Sequence, residues 1–369
     1  MEIRVFVLIR TCDNNVHSVK YLKEAINSVL KQSYSNIEII VMEDRNMNSD
    51  LSEKSEAFKL INSTFFSKKI HYCQCENTTS RKFLGSAGCS IQIKKQFESL
   101  AKNEECDDDC IAVFLDDDDQ LYNENIIYNI VDNMKSKNAN ICLMPFSIFG
   151  DKQFDITNQS GTIHNRIVNY LAMEKMSLLF QNIMVQKDEF KKISFPSLCY
   201  VSSIGWTKAY RLSVIKKYND LIDRVIDKSY EIIEFEDFAD FICFLFKKTQ
   251  IASIPFPSHL YRQRKDSITG IQTKIKFSKY RIGYLEILVR LMTQAVKDDA
   301  LIDQADYYVT EFITFKLGQI VGIINKNGVS DDVQYNSDIF LHEACDRLNL
   351  NIVDVQNRIK YLITIGILS

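Results

Sequence analysis

Residues 111–121 read Ile-Ala-Val-Phe-Leu-Asp-Asp-Asp-Asp-Gln-Leu, an apolar run followed directly by four aspartates. The apolar run from Ile111 to Leu115 has the composition of a strand buried on both faces of a parallel sheet. Four aspartates, Asp116 to Asp119, follow at once, where such a strand would end. Because ligands of open α/β sheets bind beyond the carboxyl ends of the strands, the stretch predicts both the sheet and the edge that carries its site.

Adjacent carboxylates repel one another and resist desolvation, so four aspartates in a row are stable only where they face water or a cation. Hard oxygen ligands suit Mg²⁺ or Mn²⁺, and one or two carboxylates together with substrate phosphates commonly hold such an ion. These residues alone leave two interpretations open: a divalent metal site, or a solvated acidic turn between a strand and a helix.

The composition limits the class of protein. A chain of 369 residues is long enough for a large α/β domain and a smaller second unit. Its 45 basic residues are offset by 48 acidic ones, and the net charge of -3 favours no nucleic-acid partner. The ten cysteines lack regular spacing, which indicates reduced thiols and a cytoplasmic location. The pairs Cys73 with Cys75 and Cys106 with Cys110 do not have zinc-ligand spacing. We expect neither a signal peptide nor a run of the ~20 apolar residues that span a membrane.

Predicted strands and helices alternate through the first 150 residues. The strands are 2–9, 37–42, 70–73, 111–115 and 141–149, and the helices between them are 18–32, 51–61, 85–102 and 125–134. This alternation is typical of a nucleotide-binding half-domain with parallel strands. Residues 151–165 are polar, 167–185 form a candidate helix, and 251–262 form a strand that is broken by Pro255 and Pro257 and therefore expected at an edge. Beyond residue 269 the periodicity is mostly helical.

Four segments, taken in order, resemble the family 2 glycosyltransferases. Residues 5–13 and 25–41 are similar to the first βαβ unit of that family, and Asp116 to Asp119 to its Asp-x-Asp signature. Trp206-Thr207-Lys208 is similar to its Trp-x-Lys segment, and Tyr261-Arg262 with Ser267 to its Tyr-Arg-x-His…Ser segment. The resemblance covers roughly residues 3–270, and several matches in the right order are more specific than any one alone.

The resemblance implies the fold and the activity. The fold would be α/β of the GT-A, Rossmann-like kind: a mixed, mainly parallel sheet with flanking helices, followed by a C-terminal helical region. The domains would be 1–270, with a nucleotide-binding half 1–150 and an acceptor half 151–270, and then 271–369. The activity would be inverting transfer of a hexosyl or N-acetylhexosaminyl group from a nucleotide-sugar, first a UDP-sugar, to a hydroxyl of a glycan or lipid-linked glycan, with Mn²⁺ or Mg²⁺. The resemblance also implies a role in bacterial surface polysaccharide synthesis.

The implied donor site uses residues at the ends of the first strands. Thr11 and Asp13 would touch the nucleotide, and Asp44 would accept the imide hydrogen of uracil, although an acid at a strand end also caps turns. Asp116 would hold the ribose or a metal-bound water, and Asp118 would coordinate the metal that bridges the diphosphate. Asp119 would support the loop.

The implied catalytic site lies in the second half of the resemblance. Inversion requires a base that deprotonates the acceptor hydroxyl, and Asp237 would be this base, with Glu236 beside it and Glu234 as a rival. The alternative is structural: the helix dipole favours acidic residues at a helix N-terminus, and this preference would produce the same sequence. Arg262 and Arg264 would reach the diphosphate. Trp206 would be a platform for a sugar ring or a buried core indole.

Three departures from the family pattern keep other functions open. They are Arg10, Gly88-Cys89-Ser90 in place of Ala-Arg-Asn, and Arg264 in place of His; Arg81 is the nearest substitute for the missing arginine. A degenerate protein that binds nucleotide-sugar or glycan without turnover is one alternative. A nucleotidyltransferase is the other, although the Gly-rich basic loop of that class does not follow the first strand.

The C-terminal region predicts two further partners, a membrane surface and a second copy of the chain. Basic and aromatic residues alternate through 274–292, so this helix would either rest on an anionic membrane, at the inner face, or pack with a solvated basic edge. The C-terminal helices would form a homodimer, support the acceptor or close the core.

Overall fold

The structure is a computed structural model of the chain. It describes residues 2–12, 18–46, 54–63, 69–77, 86–103, 106, 108–150, 207–225, 242–263, 280–298, 305–327 and 337–364.

Seven strands of the described part form the main sheet. They are β1 (Val5–Cys12), β2 (Ile37–Asp44), β3 (Lys69–Gln74), β4 (Ile111–Asp116), β6 (Ile141–Leu143), β8 (Lys208–Arg211) and β9 (Ile251–Ser253). Their order is β3-β2-β1-β4-β8-β6-β9, in which β8 runs antiparallel to β4 and β6, and the other neighbours are parallel. The sheet is therefore mixed and mainly parallel, as the sequence predicts.

Burial on both faces explains why the sequences of the two central strands, β1 and β4, are apolar. Along β1, Phe6 and Leu8 enter the core on one face of the sheet, and Val5, Val7 and Ile9 enter the core on the other. All five side chains are fully buried. A strand covered on both faces needs an apolar residue at every position, because successive side chains point to opposite faces.

Helices cover both faces. In the first four fifths of the chain they are α1 (Ser18–Leu30), α2 (Glu56–Ser63), α3 (Ser86–Asn103), α4 (Ile126–Ser136), α5 (Leu212–Val225) and α6 (Tyr280–Lys297). In the last fifth they are α7 (Ala305–Asn327), α8 (Ser337–Leu348) and α9 (Ile352–Thr364). Helices α1, α2 and α4 pack on one core, while α3, α5 and the four C-terminal helices pack on the other. The predicted flanking helices and C-terminal helical region are both confirmed.

Prolines break two of the predicted strands. The single strand predicted at 141–149 is wrong, whereas the break predicted at Pro255 and Pro257 is confirmed. The stretch 141–149 breaks at Pro145 into β6 in the main sheet and β7 (Phe146–Gly150) in a second sheet. The stretch 251–262 breaks at Pro255 and Pro257 into β9 and β10 (His259–Gln263). Because proline has no N–H to donate, a ladder cannot continue through it. The second sheet has the order β5-β10-β7, with β5 at Gln120–Leu121. Edge placement is thus confirmed for β9 and wrong for β10.

The C-terminal helices close the core on one face of the sheet. Leu291 of α6, Phe312 of α7 and Phe340 of α8 belong to the same buried cluster as Phe97 of α3 and Tyr218 of α5. Of the three roles considered for these helices, core closure is therefore observed. None of the described helices combines the length and the hydrophobicity of a membrane-spanning segment.

Helix α6 overlaps the segment 274–292 for which membrane contact is predicted. Its residues Leu285, Leu291 and Ala295 are buried in the core. These apolar side chains are covered by the chain itself. Residues 274–279, which carry part of the predicted membrane contact, lie outside the described ranges, and this contact stays a prediction.

Candidate functional site

The carboxyl ends of three neighbouring parallel strands bring the predicted donor residues to one edge of the sheet. In the β1–β2 register Cys12 lies opposite Asp44, and in the β1–β4 register Arg10 lies opposite Asp116. Thr11, between these two positions, is 5% exposed. Residues that are far apart in sequence thus converge because β1 is flanked by β2 and β4.

The four aspartates form a tight turn in which their environments differ. The N–H of Asp119 donates to the carbonyl oxygen of Asp116 across 3.1 Å. Asp116, Asp117 and Asp118 are partly exposed, whereas Asp119 is fully buried. The predicted support of the loop by Asp119 has a matching contact, because its Oδ1 accepts the backbone N–H of Arg262 at 2.8 Å.

Burial is the main reason that the pKa of Asp119 lies well above its ordinary value, and the charges of Asp118 and Asp116 raise this pKa further. Its Oδ2 has no hydrogen-bond partner among the described residues. Three carboxylates of the turn are therefore partly exposed at the edge of the sheet, and the fourth, that of Asp119, is buried.

Two side chains at the end of β1 contact this turn. Nη2 of Arg10 lies 2.6 Å from Oδ1 of Asp116, and the hydroxyl of Thr11 donates to Oδ2 of Asp117 across 2.6 Å. From the sequence, Arg10 was only a departure from the family pattern, and its ion pair with Asp116 was not predicted. The available signal was a charged residue at the end of an apolar strand whose parallel neighbour ends in carboxylates.

Arg262 holds the turn from the side of β10. Its Nε donates to the carbonyl oxygen of Asp118 at 2.8 Å, and its Nη2 donates to the carboxylate of Glu24 on α1. The guanidinium lies 4.4 Å from the ring centroid of Tyr21, and the residue is 5% exposed. The sequence predicts that Arg262 contacts the diphosphate. The guanidinium would have to exchange these hydrogen bonds for bonds to phosphate, and this contact stays a prediction.

The end of β2, which carries Asp44, is held by a buried network around Glu43. Oε2 of Glu43 accepts hydrogen bonds from the hydroxyls of Ser55, at 2.6 Å, and Tyr72. Ser55 also accepts the N–H of Phe58 at 3.1 Å, which places it as the cap of α2. Burial and the bond to Glu43 raise the pKa of Tyr72 to about 12. Asp44 itself is 4% exposed.

The chemistry of the turn fits a divalent cation held partly by its substrate. Asp116 and Asp118 offer hard carboxylate oxygens at the sheet edge and are partly exposed. Among the residues that the structure describes, no three His, Cys, Asp or Glu side chains are placed to hold a metal by themselves. One or two carboxylates with phosphate and water oxygens are a common set for Mg²⁺.

The remaining predicted site residues lie outside the described ranges. They are Asp13, Trp206, Glu234, Glu236, Asp237 and Arg264, together with Arg81. The structure thus brings together Thr11, Asp44, Arg262 and the acidic turn, and the functional roles of all the predicted site residues stay predictions.

No protein-family model matches the sequence, and a comparison with curated proteins finds no match. Solved structures do resemble the chain. A crystal structure of residues 1–349 of S. aureus TarS in complex with UDP-GlcNAc matches it with a TM-score of 0.55 and 12% identity, over 99% of this chain and 92% of that chain. The mannosyltransferase PcManGT from Pyrobaculum calidifontis in complex with GDP-Man and Mn²⁺ matches with a TM-score of 0.42 and 12% identity, over 98% of this chain and 86% of that chain. The TarS likeness shows a shared fold.

Proposed function

We propose that this protein is a glycosyltransferase that moves a sugar from a nucleotide-sugar to a hydroxyl group with inversion. The observation that carries the proposal is the convergence of Thr11, Asp44 and the turn Asp116–Asp119 at the carboxyl ends of β1, β2 and β4. Ligands of open α/β sheets bind at this edge. The four motifs that resemble family 2 support placement in that family and in the GT-A fold.

A uracil nucleotide is the first donor to test. Asp44 can accept the imide hydrogen of uracil, and the network of Glu43, Ser55 and Tyr72 holds the strand end from which it projects. TarS, whose fold this chain shares, was crystallised with UDP-GlcNAc, which supports a UDP-sugar and an N-acetylhexosaminyl group as the starting choice.

Asp116 and Asp118 are the residues that would hold a divalent cation, Mn²⁺ or Mg²⁺. A cation bound there supplies charge stabilisation for the leaving nucleoside diphosphate. Contacts from β1 and β10 position these carboxylates. Thr11 donates to the carboxylate of Asp117. Arg262 donates to the Asp118 carbonyl oxygen through its guanidinium and to Asp119 through its backbone N–H.

The acceptor half of the reaction is assigned from the resemblance. Asp237 would take the proton of the acceptor hydroxyl, with Glu236 beside it and Glu234 as the rival base. Trp206 would contact a sugar ring, and Arg264 would add a positive charge at the diphosphate. The acceptor would be a glycan or lipid-linked glycan of a surface polysaccharide, reached from the cytoplasm.

The test is nucleotide release from UDP-, GDP- and CDP-sugars with Mn²⁺, with Mg²⁺ and with EDTA. Wild type is compared with Asp118→Ala and Asp237→Asn, and with Asp132→Ala as a matched control, because Asp132 is an exposed carboxylate on α4. Release from one donor that needs metal, is lost in the first two variants and survives in the control is the expected result.

Calorimetry on the same samples separates binding from turnover. Metal-dependent donor binding without release in the presence of a panel of glycan acceptors would favour the non-catalytic alternative. No binding of any nucleotide-sugar would overturn the proposal.

A further inference from the structure

The ion pair between Arg10 and Asp116 joins the two central strands at the edge that carries the acidic turn. The pair is opposite in the β1–β4 register, with Nη2 and Oδ1 separated by 2.6 Å. The side chains are 14% and 27% exposed, so bulk water screens this pair less than it screens a surface pair. A charge-assisted hydrogen bond at this distance is among the strong ones.

The pair changes what Asp116 can offer to a metal. A carboxylate that already accepts a guanidinium carries less uncompensated charge, and a cation that approaches it meets a fixed positive group. Asp119 is no substitute, because it is buried and bound to the N–H of Arg262.

We infer that Arg10 is a positioning residue that competes with the divalent cation for Asp116, and that it thereby makes tight metal binding depend on the diphosphate of the donor. The diphosphate adds oxygen ligands for the cation and gives the guanidinium a second anionic partner. By linkage, the metal then tightens donor binding by the same factor by which the donor tightens metal binding. The donor part of this inference rests on the proposed function.

The experiment is a Mn²⁺ titration followed by electron paramagnetic resonance, with and without UDP. It compares wild type, Arg10→Gln, and the control Lys20→Gln, which removes one positive charge from the nearby helix α1. Lys20 is 68% exposed and lies 4.0 Å from Glu24. Without UDP, Arg10→Gln should bind Mn²⁺ at least about fivefold more tightly than wild type. Lys20→Gln should stay within about twofold, because an exposed pair has little effect.

Two further variants test whether the tighter Mn²⁺ binding of Arg10→Gln depends on Asp116. The double variant Arg10→Gln with Asp116→Asn should lose the gain, and Arg10→Lys, which keeps a charge without the planar fork, should fall between wild type and Arg10→Gln. With UDP present, the difference between wild type and Arg10→Gln should shrink, because the donor already relieves the competition. Arg10→Lys also serves as the test if Arg10→Gln does not fold, as judged by circular dichroism.

Unchanged or weaker Mn²⁺ binding by Arg10→Gln, or by Arg10→Lys in its place, would overturn the inference. The arm without UDP decides this even if no variant binds any nucleotide, a result that would instead overturn the proposed function. Equal gains in Arg10→Gln and Lys20→Gln would also overturn it, because net charge alone would then explain the result.

Discussion

The hydroxyl of Thr11, near the end of β1, donates a 2.6 Å hydrogen bond to Oδ2 of Asp117, in the turn that follows β4. The two residues are separated by 106 positions in the sequence and meet because β1 and β4 are parallel neighbours. The bond ties the first strand to the acidic turn, so the shape of the turn depends on a residue outside it.

Thr11→Val should destabilise the turn and weaken donor binding. Valine keeps the shape of threonine but leaves the Asp117 carboxylate without this donor, at a cost of about 1–2 kcal/mol in the free energy of unfolding. Urea unfolding and UDP calorimetry measure the two effects. Thr293→Val is the matched control, since this exposed hydroxyl of α6 bonds the carbonyl of Val289 at 2.8 Å within one helix. Equal losses in both variants would contradict the special role of Thr11.

Tyr72→Phe should loosen the end of β2. The tyrosine hydroxyl donates to Glu43, and removal of a hydrogen bond to a charged group costs about 2 kcal/mol. The exposed Tyr128 on α4 gives the control, Tyr128→Phe.

The Tyr72 effect should also depend on pH. The folded pKa of Tyr72 is raised from 10.0 to about 12, so its contribution to stability is present below pH 10 and is lost as the pH rises towards 12. The stability difference between wild type and Tyr72→Phe should therefore shrink above pH 10 in urea unfolding. A difference that grows there would contradict the assignment.

Asp119→Asn should stabilise the protein at neutral pH. Burial and the neighbouring aspartates raise the pKa of Asp119, so its favourable contribution is present only below the ordinary value of 3.8 and is lost as the pH rises. Asparagine keeps an oxygen for the Arg262 N–H and does not ionise.

We expect Asp119→Asn to gain on the order of 1 kcal/mol at pH 7, with a smaller gain as the pH falls. Thermal and urea unfolding measure this gain, and Asp132→Asn controls for a general effect of net charge. A variant that is less stable than wild type at pH 7 would show that the carboxylate is needed to hold the turn.

Protonation of His259 should lower the free energy of unfolding in mild acid. Its side chain is fully buried, Nε2 lies 3.0 Å from the carbonyl oxygen of Phe114, and burial lowers its pKa from 6.5 to about 4. Because the folded pKa is depressed, the stability is present above pH 6.5 and is lost as the pH falls towards 4, by up to about 3 kcal/mol.

His259→Gln should flatten this dependence, since the glutamine amide can donate to the same carbonyl and does not titrate. The slope of the unfolding free energy between pH 6.5 and pH 5 is the measurement, in a range where most exposed carboxylates remain ionised. His342→Gln, on the exposed side of α8, should leave the slope unchanged.

Phe312→Ala should destabilise the whole molecule rather than the C-terminal helices alone. Phe312 is fully buried in α7 and belongs to the cluster that includes Phe97 and Tyr218, so the cavity should cost about 3–5 kcal/mol. Unfolding should remain a single transition when followed by circular dichroism and by hydrogen exchange. Tyr307→Ala, at a 54% exposed position of α7, is the control. Separate loss of exchange protection in α7 to α9 would contradict the shared core.

Much of the fold was predictable because the relevant signals are local. The apolar run at 111–115 and the alternating strands and helices before residue 150 follow from residues a few positions apart, and the structure has these elements in the same order. The break at Pro145 was not predicted, and the edge placement predicted for the strand that Pro255 and Pro257 break is wrong for its second half, β10. A proline marks the end of a ladder, but the partner of the next strand is chosen by the packing of the whole chain.

The central strand, the carboxylates at its end and the helical C-terminal region were predictable from local sequence, since hydrophobic periodicity and charge are properties of neighbouring residues. The partners of these carboxylates follow from the three-dimensional fold instead. Arg10 is 106 residues from Asp116, and Arg262 is 144 residues from Asp118. Such contacts depend on strand order and register, which are set by the packing of both cores together rather than by any local pattern.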